Sequence, residues 1–493
     1  MGRAFSKTTT GRLKVERLPI RFVGDEKWVI SRSFNPGGET RVRHVLRRVR
    51  RLSGDEARAV LGDVLSRFEH RHHNMEEILE ENCDKALSAV GDSNRLSRSH
   101  RLLLGSYFTM EYSIASAALF NPSIVVHPDQ SQVPPGGKRF IMSLRATGEG
   151  HVSSIVFRTG LIHPDHSITV DPPGAVTHRA KLSPDRVYDK QLFWRKLNDM
   201  AIKKVAVDFV MHRLPKQFTM EQLEHAIDGA RSDDPILLQS EETIDGMLWL
   251  ARENYQLRLP DGAAISDVVI FPQSENESMG LEDLRLVAFE EDDGTTKYYG
   301  TYTAFNGYRI LPQFMESDDF RRISIHTING ACAQNKGMAL FPRRVNGHYC
   351  MCSRIDGENL YIMYSDMLQF WETAEVLRTP KHPWEFMQLG NCGSPLETEA
   401  GWLLLTHGVG PMRTYCIGVM LLERDDPLSV IGHLDEPLIM PTESEREGYV
   451  PNVVYTCGAM IHQDRLYIPY AMSDTATGFA MVELDKLLDR LVG

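Results

Sequence analysis

The sequence lacks the features that would place this protein in a membrane or outside the cell. It contains no run of about eighteen apolar residues, which a membrane-spanning helix needs, and its start has no apolar stretch typical of a secretory signal. Its seven cysteines include no Cys-x-x-Cys pair, and a scattered, odd-numbered set suits a reducing compartment. We therefore expect a cytoplasmic protein without a membrane span.

An excess of basic residues is also absent, because 55 lysines and arginines face 66 aspartates and glutamates, a net charge of −11. General nucleic-acid binding is therefore not expected. The histidines that lie closest together are His70, His72 and His73. Consecutive residues of a helix point in different directions, so we interpret them as a surface cluster and predict no metal site.

One pattern recurs five times along the chain: an apolar strand, a short polar tip, and a second strand that ends in a polar residue. The copies are Phe120–Arg145, Asp283–Tyr302, Gly337–Arg354, Gly393–His407 and Pro451–Asp474. The last three begin about fifty to sixty residues apart, which is typical of propeller blades. Tips such as Asn346-Gly347 and Gln463-Asp464 have hairpin chemistry.

Two segments break the pattern and favour helices. Ser53 and Glu56 have capping-box spacing before an apolar stripe, and Thr219 and Gln222 cap a second helical stretch. We therefore predict a mainly β protein, a five-bladed β-propeller with an N-terminal helical extension and a helical insertion. The predicted domains are 1–112 (N-terminal helical extension), 113–173 (first propeller segment), 174–262 (helical insertion) and 263–493 (remainder of the propeller).

The helical segments need a surface on which to bury their apolar stripes. We predict that the insertion overhangs the ligand site and limits the length of the acceptor. The alternative is that it packs on the outer wall or in a homo-oligomer contact. Residues Arg41–Leu52 form a basic amphipathic segment, which we interpret as a solvated helix face rather than a surface for anionic lipid or RNA.

If the copies are equivalent blades, their last residues converge on one central funnel. These residues are Arg145, Tyr302, Arg354, His407 and Asp474. Two arginines, a histidine, a tyrosine and an acid are unsuited to a core, so they predict a polar ligand site.

An acidic pair, Glu282-Asp283, opens the second copy. Adjacent strand residues face opposite sides, so one acid can point into the funnel while the other holds Arg285 or the backbone. Other copies supply cations at Lys336, Arg354 and His407. One acid facing several cations is suited to protonating a leaving oxygen beside a bound anion.

Several motifs resemble glycoside hydrolase family 130, the inverting β-mannoside phosphorylases and their hydrolytic relatives. The family pattern G-x-E-D-P-R followed by T-Y-T-A-[YF]-[DN]-G is similar to GLEDLR (280–285) and TYTAFNG (301–307). NKGMALFP (335–342), TEAGWLLLTHGV (398–409) and the stretch 425–461 are similar as well. The resemblance covers about 120–162 and 263–493.

The resemblance implies a five-bladed β-propeller enzyme that cleaves a β-mannoside oligosaccharide with inorganic phosphate, giving α-mannose 1-phosphate. It implies that Asp283 is the proton donor and acts through a sugar hydroxyl. It places phosphate on Lys336, Arg354 and His407. The implied sugar contacts are Asn121, Arg145, Glu282, Tyr302, Asn306 and Asp474. Phosphate is the co-substrate and no cofactor is expected.

The chain departs from the family pattern at Leu284, Gly337, Ser353 and Thr406, which bears on substrate preference and phosphate affinity. Lys336, Arg354 and His407 are retained, and these three basic residues favour phosphorolysis over hydrolysis. One alternative is an inverting β-mannosidase, in which a carboxylate from the Glu275/Glu277 loop or the insertion activates water. Another is a glycan-binding propeller without catalysis.

Overall fold

The computed structural model describes residues 13–93, 95–200, 202–236 and 241–493, and it is mainly β with helices concentrated in two segments. Nowhere in these residues does a helix have both the length and the apolar character needed to cross a membrane. The N-terminal elements are β1 (Val15–Phe22), β2 (Asp25–Ser33), α1 (Gly38–Arg50), α2 (Gly54–Phe68), α3 (Met75–Ala89), α4 (Arg98–Tyr107) and β3 (Thr109–Ala115).

The four N-terminal helices lie where the sequence predicts them. Ser53 and Glu56 form the predicted capping box at the start of α2, and apolar side chains such as Leu79, Leu103 and Leu104 fill the space between the helices. The prediction of a surface histidine cluster is wrong for His72. Its side chain is buried, and its Nε2 lies 2.8 Å from Oε1 of Glu111 on β3.

Two further strands precede these helices, so the segment 1–112 is not wholly helical. β1 runs antiparallel to the last strand of the chain, with Val15 opposite Val482, and β2 pairs with β3. Leu18 and Ile20 of β1 pack on an apolar cluster that contains Phe140 and Phe479. The N-terminal strand therefore completes a sheet made by residues more than four hundred positions later.

The first repeat forms β4 (Ala118–Val126), β5 (Lys138–Thr147), β6 (Ser153–Ile162) and β7 (Ile168–Val170). The segment after it contains β8 (His178–Arg179), β9 (Lys181–Leu182), β10 (Tyr188–Asp189), α5 (Lys190–Asp199), α6 (Lys204–Met211), β11 (Gln217–Phe218), α7 (Met220–Asp233), α8 (Glu241–Glu253) and β12 (Gln256–Arg258). Helices α5–α8 share an apolar core of their own, in which Phe193, Val210 and Leu223 are buried. Thr219 and Gln222 form the second predicted capping box.

The remaining repeats follow in chain order. They comprise β13 (Val268–Ile270), β14 (Gly280–Glu290), β15 (Thr296–Phe305), β16 (Ile310–Ser317), β17 (Arg322–Thr327), β18 (Ala339–Leu340), β19 (Tyr349–Ser353), β20 (Leu360–Ser365), β21 (Ala374–Arg378), β22 (Gln388–Asn391), β23 (Leu396–Thr398), β24 (Gly401–Val409), β25 (Tyr415–Leu422), β26 (Val430–His433), β27 (Val454–Tyr455), β28 (Met460–His462), β29 (Arg465–Met472), β30 (Ala476–Glu483) and α9 (Leu484–Val492). All five predicted hairpins are present, namely β4–β5, β14–β15, β18–β19, β23–β24 and β28–β29.

We refer to the sheets built on these hairpins as strand groups one to five. Groups three (β18–β21), four (β22–β26) and five (β27–β30 with β1) are separate sheets, whereas groups one (β4–β7 with β13) and two (β14–β17 with β12) belong to one twelve-stranded sheet. A single parallel pair, Gly280 with Ser153, joins β14 to β6. The two groups are otherwise distinct meanders.

Aromatic contacts connect each strand group to the next. The pairs are Phe157–Phe320 (groups one and two, centroids 5.8 Å apart), Phe289–Tyr349 (two and three, 5.6 Å), Phe341–Trp402 (three and four, 5.1 Å), His407–Tyr455 (four and five, 5.1 Å) and Phe140–Phe479 (one and five, 6.2 Å). The succession of contacts therefore returns from the fifth group to the first.

The insertion packs on the outermost strand of group two. β12 extends that sheet beyond β17, with Leu257 opposite Ile323, and the buried Lys196 of α5 donates to Oδ1 of Asn254 and the carbonyl oxygen of Thr327. These contacts correspond to the outer-wall alternative, whereas the overhang above the ligand site stays a prediction.

Candidate active site

Asp283 occupies an unusual backbone position near the start of β14. Its φ is +56°, in the left-handed region that residues other than glycine rarely adopt, and the pairing of β14 with β15 shifts between Glu282 and Arg285. Asp283 therefore lies in a β-bulge, a feature that re-aims side chains at functional sites.

The Asp283 carboxylate is held by groups from the first repeat. Its Oδ1 accepts hydrogen bonds from Nδ2 of Asn121 at 2.7 Å and from Nη1 of Arg145 at 3.3 Å. Burial raises the pKa of this carboxyl group, but the charges of Arg145, Arg285 and Lys336 and the Asn121 bond outweigh it, so the pKa lies below its ordinary value. Without a ligand, Asp283 is therefore ionised at neutral pH.

Glu282 shares the same cation. Its Oε1 accepts from Nη2 of Arg145 at 2.7 Å, and its Oε2 lies 3.8 Å from Nζ of Lys336. The expectation that neighbouring acids face opposite sides is wrong here, because the bulge at Asp283 turns both carboxylates toward Arg145. The Arg145 fork therefore binds two acids at once, while its Nε donates to Ser153 Oγ.

Arg285 belongs to this site, although sequence reasoning gave it no role of its own. It is buried, its Nη1 donates to the backbone oxygen of Asp283 at 3.1 Å, and its Nη2 donates to the hydroxyl of Tyr455 at 2.7 Å. A charged residue within the otherwise apolar stretch Leu284–Phe289 is the signal that could have identified it.

Arg354 and His407 bring groups three and four to the same centre. Nη1 of Arg354 lies 3.1 Å from Nε2 of His407, and Nε2 of Gln388 lies 2.9 Å from the same nitrogen. Both neighbours can only donate here, so Nε2 accepts, and the proton on Nδ1 is donated to the Asn391 carbonyl oxygen at 3.2 Å. Burial, together with the charges of Arg354 and Arg285, holds the pKa of His407 well below its ordinary value. His407 is therefore a neutral acceptor and not the cation that the sequence suggested.

The strand beside His407 must carry a glycine. A Cβ atom on Gly390 would lie 2.4 Å from Cε1 of His407, which is closer than any packed atoms can approach. The imidazole therefore packs directly on β22, where its Nδ1 donates to the backbone oxygen of Asn391.

Asp474 completes the site from group five. It follows β29 with a φ of +50°, and burial, followed by the charge of Asp283, raises the pKa of its carboxyl group to about 6. The two aspartates therefore have opposite tendencies, since Asp283 loses its proton readily and Asp474 retains one in mildly acidic solution.

Two predicted sugar contacts are engaged with other groups of the protein. Tyr302 lies opposite the bulge of β14. Its side chain is buried in the core between groups one and two, where its hydroxyl donates to Glu277. Asn306 lies in the β15–β16 turn, where its Oδ1 accepts from the backbone nitrogens of Tyr308 and Arg309.

The hydrolase alternative offers Glu275 and Glu277 as bases that could activate water. Glu277 is fully buried and accepts from the hydroxyls of Tyr255 and Tyr302 and from the backbone nitrogens of Gln273 and Ser274. A carboxylate with four donors and no access to solvent cannot activate a water molecule. Glu275 is exposed at the surface.

Comparison with known proteins identifies a family for the second half of the chain. Residues 262–492 match the model of a family, Glyco_hydro_130, described as beta-1,4-mannooligosaccharide phosphorylase. This stretch contains Asp283, Lys336, Arg354, His407 and Asp474, whereas Asn121 and Arg145 precede it.

Two curated relatives come from Thermoanaerobacter sp. (strain X514). A 1,2-beta-oligomannan phosphorylase is 34% identical over 227 residues, which cover 44% of this chain and 73% of the relative. A beta-1,2-mannobiose phosphorylase is 36% identical over 226 residues, covering 44% and 72%. The solved structure of beta-1,2-mannobiose phosphorylase from Listeria innocua, in complex with beta-1,2-mannobiose, aligns with 77% of this chain and 93% of its own at 19% identity and a TM-score of 0.44.

Proposed function

The chain belongs to glycoside hydrolase family 130, and from this membership we propose that it is a β-mannoside phosphorylase that transfers a mannosyl group to inorganic phosphate. The reaction breaks the bond between the anomeric carbon and the glycosidic oxygen, and a phosphate oxygen forms the new bond from the opposite face. The products are α-mannose 1-phosphate and a shortened acceptor. The same groups serve the reverse reaction.

The observation that carries the proposal is the state of Arg354. Its side chain is buried, its Nε has no hydrogen-bond partner, and its Nη1 contacts the neutral His407. Among the residues that the structure describes, no carboxylate lies within ion-pair distance of it. A buried charge without a counterion is costly, so the site is suited to an anion, and phosphate has the fork-matching geometry that arginine prefers.

Lys336 can add a second positive charge to this anion, because it is partly exposed and its nearest carboxylate, Glu282, is 3.8 Å away. His407 supports the anion differently. Its Nε2 orients the Arg354 guanidinium, and it can donate a hydrogen bond to phosphate only after taking up a proton. Lys336, Arg354 and His407 thus remain the proposed phosphate residues, with His407 neutral before phosphate binds.

Asp283 is the proposed proton donor. It is ionised in the free site because cations surround it, so it can accept a proton at once in the direction of synthesis. In phosphorolysis, a phosphate dianion beside Arg354 and Lys336 would offset those cations and raise the Asp283 pKa. The bound nucleophile thereby favours the protonated acid that the leaving oxygen requires.

Sugar hydroxyls are assigned to the groups around Asp283. Asn121 and Asp474 have side chains with polar atoms that internal hydrogen bonds do not fully use, and Oδ1 of Asn121 is buried without a partner. Arg145 and Glu282 lie beside them and can exchange one of their mutual contacts for a hydroxyl. Tyr302 and Asn306 are not part of this assignment.

A five-bladed propeller is the architecture we propose around this site, with residues 38–107 and 174–262 packed outside it. The support is the succession of aromatic contacts from group one to group five and back to group one. A cavity of about 270 Å³ also has walls from all five groups, formed by 124–126, 286–290, 342–343, 394–397 and 458–461. The candidate active site draws on the same five groups.

The decisive experiment is to incubate the protein with β-1,2- and β-1,4-linked mannooligosaccharides with and without phosphate. We expect α-mannose 1-phosphate, identified by its phosphorus and anomeric proton resonances, only when phosphate is present. Release of free mannose at the same rate without phosphate would support the hydrolase instead. Binding of the oligosaccharides without any product would support a non-catalytic glycan-binding protein.

A further inference from the structure

Three metal-ligand side chains converge at the surface of group four, apart from the candidate active site. They are His382, in the loop between β21 and β22, His433, the last residue of β26, and Asp435 two residues later. One ligand atom from each lies within 4.8 Å of the other two. We propose that these residues bind one divalent transition-metal ion of the zinc type, although the sequence predicted no metal site.

The distances fit such an ion. Oδ1 of Asp435 lies 3.2 Å from Nε2 of His433 and 3.7 Å from Nε2 of His382. Ligand atoms bound to tetrahedral zinc at about 2.0–2.1 Å are about 3.3 Å from one another. Two imidazoles and one carboxylate match zinc or cobalt in chemistry and leave the fourth position for water.

The state of His382 points to a ligand. Its Nε2 is inaccessible to solvent and has no hydrogen-bond partner, which is an unfavourable state for a buried polar nitrogen. In a simple surface ion pair the carboxylate would approach this nitrogen to hydrogen-bond distance. Here the separation of 3.7 Å is too long for a hydrogen bond, whereas an ion between the two atoms would bind both.

The surroundings hold two of the three ligands, His382 and Asp435, in place without the ion. The Trp384 ring lies parallel to His382, at an angle of 7°, and Nε1 of Trp384 donates to the backbone oxygen of Asp435 at 2.9 Å. The buried Glu385 accepts from the backbone nitrogen of His382 at 3.1 Å. Support of this kind from neighbouring residues is typical of metal sites.

The site is open to solvent, and few positive charges lie close enough to oppose the binding of a cation. The Asp435 side chain is 81% exposed and that of His433 37% exposed, so an ion can enter and small adjustments can bring the ligands together. Two cations lie nearby, Arg378 and Lys381. Arg378 faces Glu385 at 3.7 Å, which leaves Lys381 as the main opposing charge.

The bound ion would connect the loop 379–387 to β26. That loop leads directly into Gln388, whose side chain contacts His407. The inference is therefore a structural ion that fixes a wall of the candidate active site and takes no part in the chemistry. It does not depend on the identity of the substrate.

The test uses the full chain without an affinity tag, stripped of metal by a chelator. Calorimetric titration with zinc should show one site per chain, and cobalt should give the visible absorption of a tetrahedral ion. We expect His433→Gln and Asp435→Asn to weaken zinc binding at least about 100-fold, with unchanged circular dichroism.

The matched control is His348→Gln. His348 and Asp366 form a surface pair at 2.6 Å, with side chains 52% and 82% exposed, and the described residues offer no third ligand there. This variant should bind zinc as the unmodified protein does, and zinc should raise the unfolding temperature of both but of neither ligand variant. The proposal is overturned if the unmodified protein binds no zinc, or if both ligand variants bind it with undiminished affinity.

Discussion

Asn121 and Asp283 occupy equivalent bulges on the first strands of two neighbouring groups, and the side chain of one donates to the other. Both have left-handed backbone conformations, with φ of +49° and +56°, and strand pairing shifts at each position. Nδ2 of Asn121 lies 2.7 Å from Oδ1 of Asp283. The repeated bulge thus re-aims two side chains that a regular strand would direct elsewhere.

The first prediction concerns Asp283. Asp283→Asn should lower kcat about a hundred- to ten-thousand-fold in both directions, because it removes the proton donor and acceptor while preserving shape. The measurement is kcat for phosphorolysis and synthesis, with the fold checked by circular dichroism. Asp293→Asn, at the exposed tip of the same hairpin, is the control and should keep full activity. A variant that retains more than a tenth of the original rate would exclude Asp283 as the donor.

The second prediction concerns the anion site. A charge-assisted hydrogen bond contributes roughly 1.5–3 kcal/mol, so Arg354→Ala should raise the KM for phosphate by one to two orders of magnitude. Arg344→Ala removes an arginine of the same group that contacts Tyr349 and Asp292, and it should leave this KM unchanged. Equal effects of the two substitutions would show that Arg354 does not bind phosphate.

A third prediction follows from the charges around Asp283. Phosphate binding should shift the pKa of the Asp283 carboxyl group upward from its lowered value, because a dianion beside Arg354 and Lys336 offsets the cations that lower it. The carbon-13 resonance of this carboxyl group, assigned by its loss in Asp283→Asn, measures the pKa with and without phosphate. The same titration in Arg354→Ala should show a smaller upward shift. An Asp283 pKa that phosphate leaves unchanged would contradict this linkage.

Arg145 supplies a fourth prediction. Arg145→Lys keeps the charge but loses the fork that reaches Glu282, Asp283 and Ser153. We expect kcat/KM for the mannoside to fall at least about tenfold, with a much smaller change in the KM for phosphate. A parallel loss in both parameters would place Arg145 in the anion site instead.

The fifth prediction concerns the effect of Asp474 on stability. Its pKa is raised from its ordinary value of 3.8 to about 6, so ionisation destabilises the folded state as the pH rises from about 4 to 6, and the loss persists above that range. Asp474→Asn should therefore increase the free energy of unfolding at pH 8 by about 3 kcal/mol, with no gain near pH 4. Denaturant unfolding at both pH values measures this difference. A gain that is equal at the two pH values would have another origin than ionisation.

The sequence alone was sufficient for the local structure. Period-two alternation and turn residues located all five hairpins, and the spacing of Ser53 with Glu56 and of Thr219 with Gln222 located two helix starts. These features depend on residues close together in the chain, so their chemistry is legible without coordinates. The motifs around Asp283, Lys336 and His407 were sufficient to identify the family.

Tertiary structure decided what the site residues do to one another. A bulge cannot be inferred from alternation, so the sequence could not show that Glu282 and Asp283 share Arg145, or that Tyr302 faces Glu277 in the core. The neutral state of His407 depends on burial and on Arg354, fifty-three positions away in the chain. The pairing of β1 with β30, like the meeting of His382 with His433, arises between distant segments. Such relationships are set by register, burial and long-range contact, which no local pattern encodes.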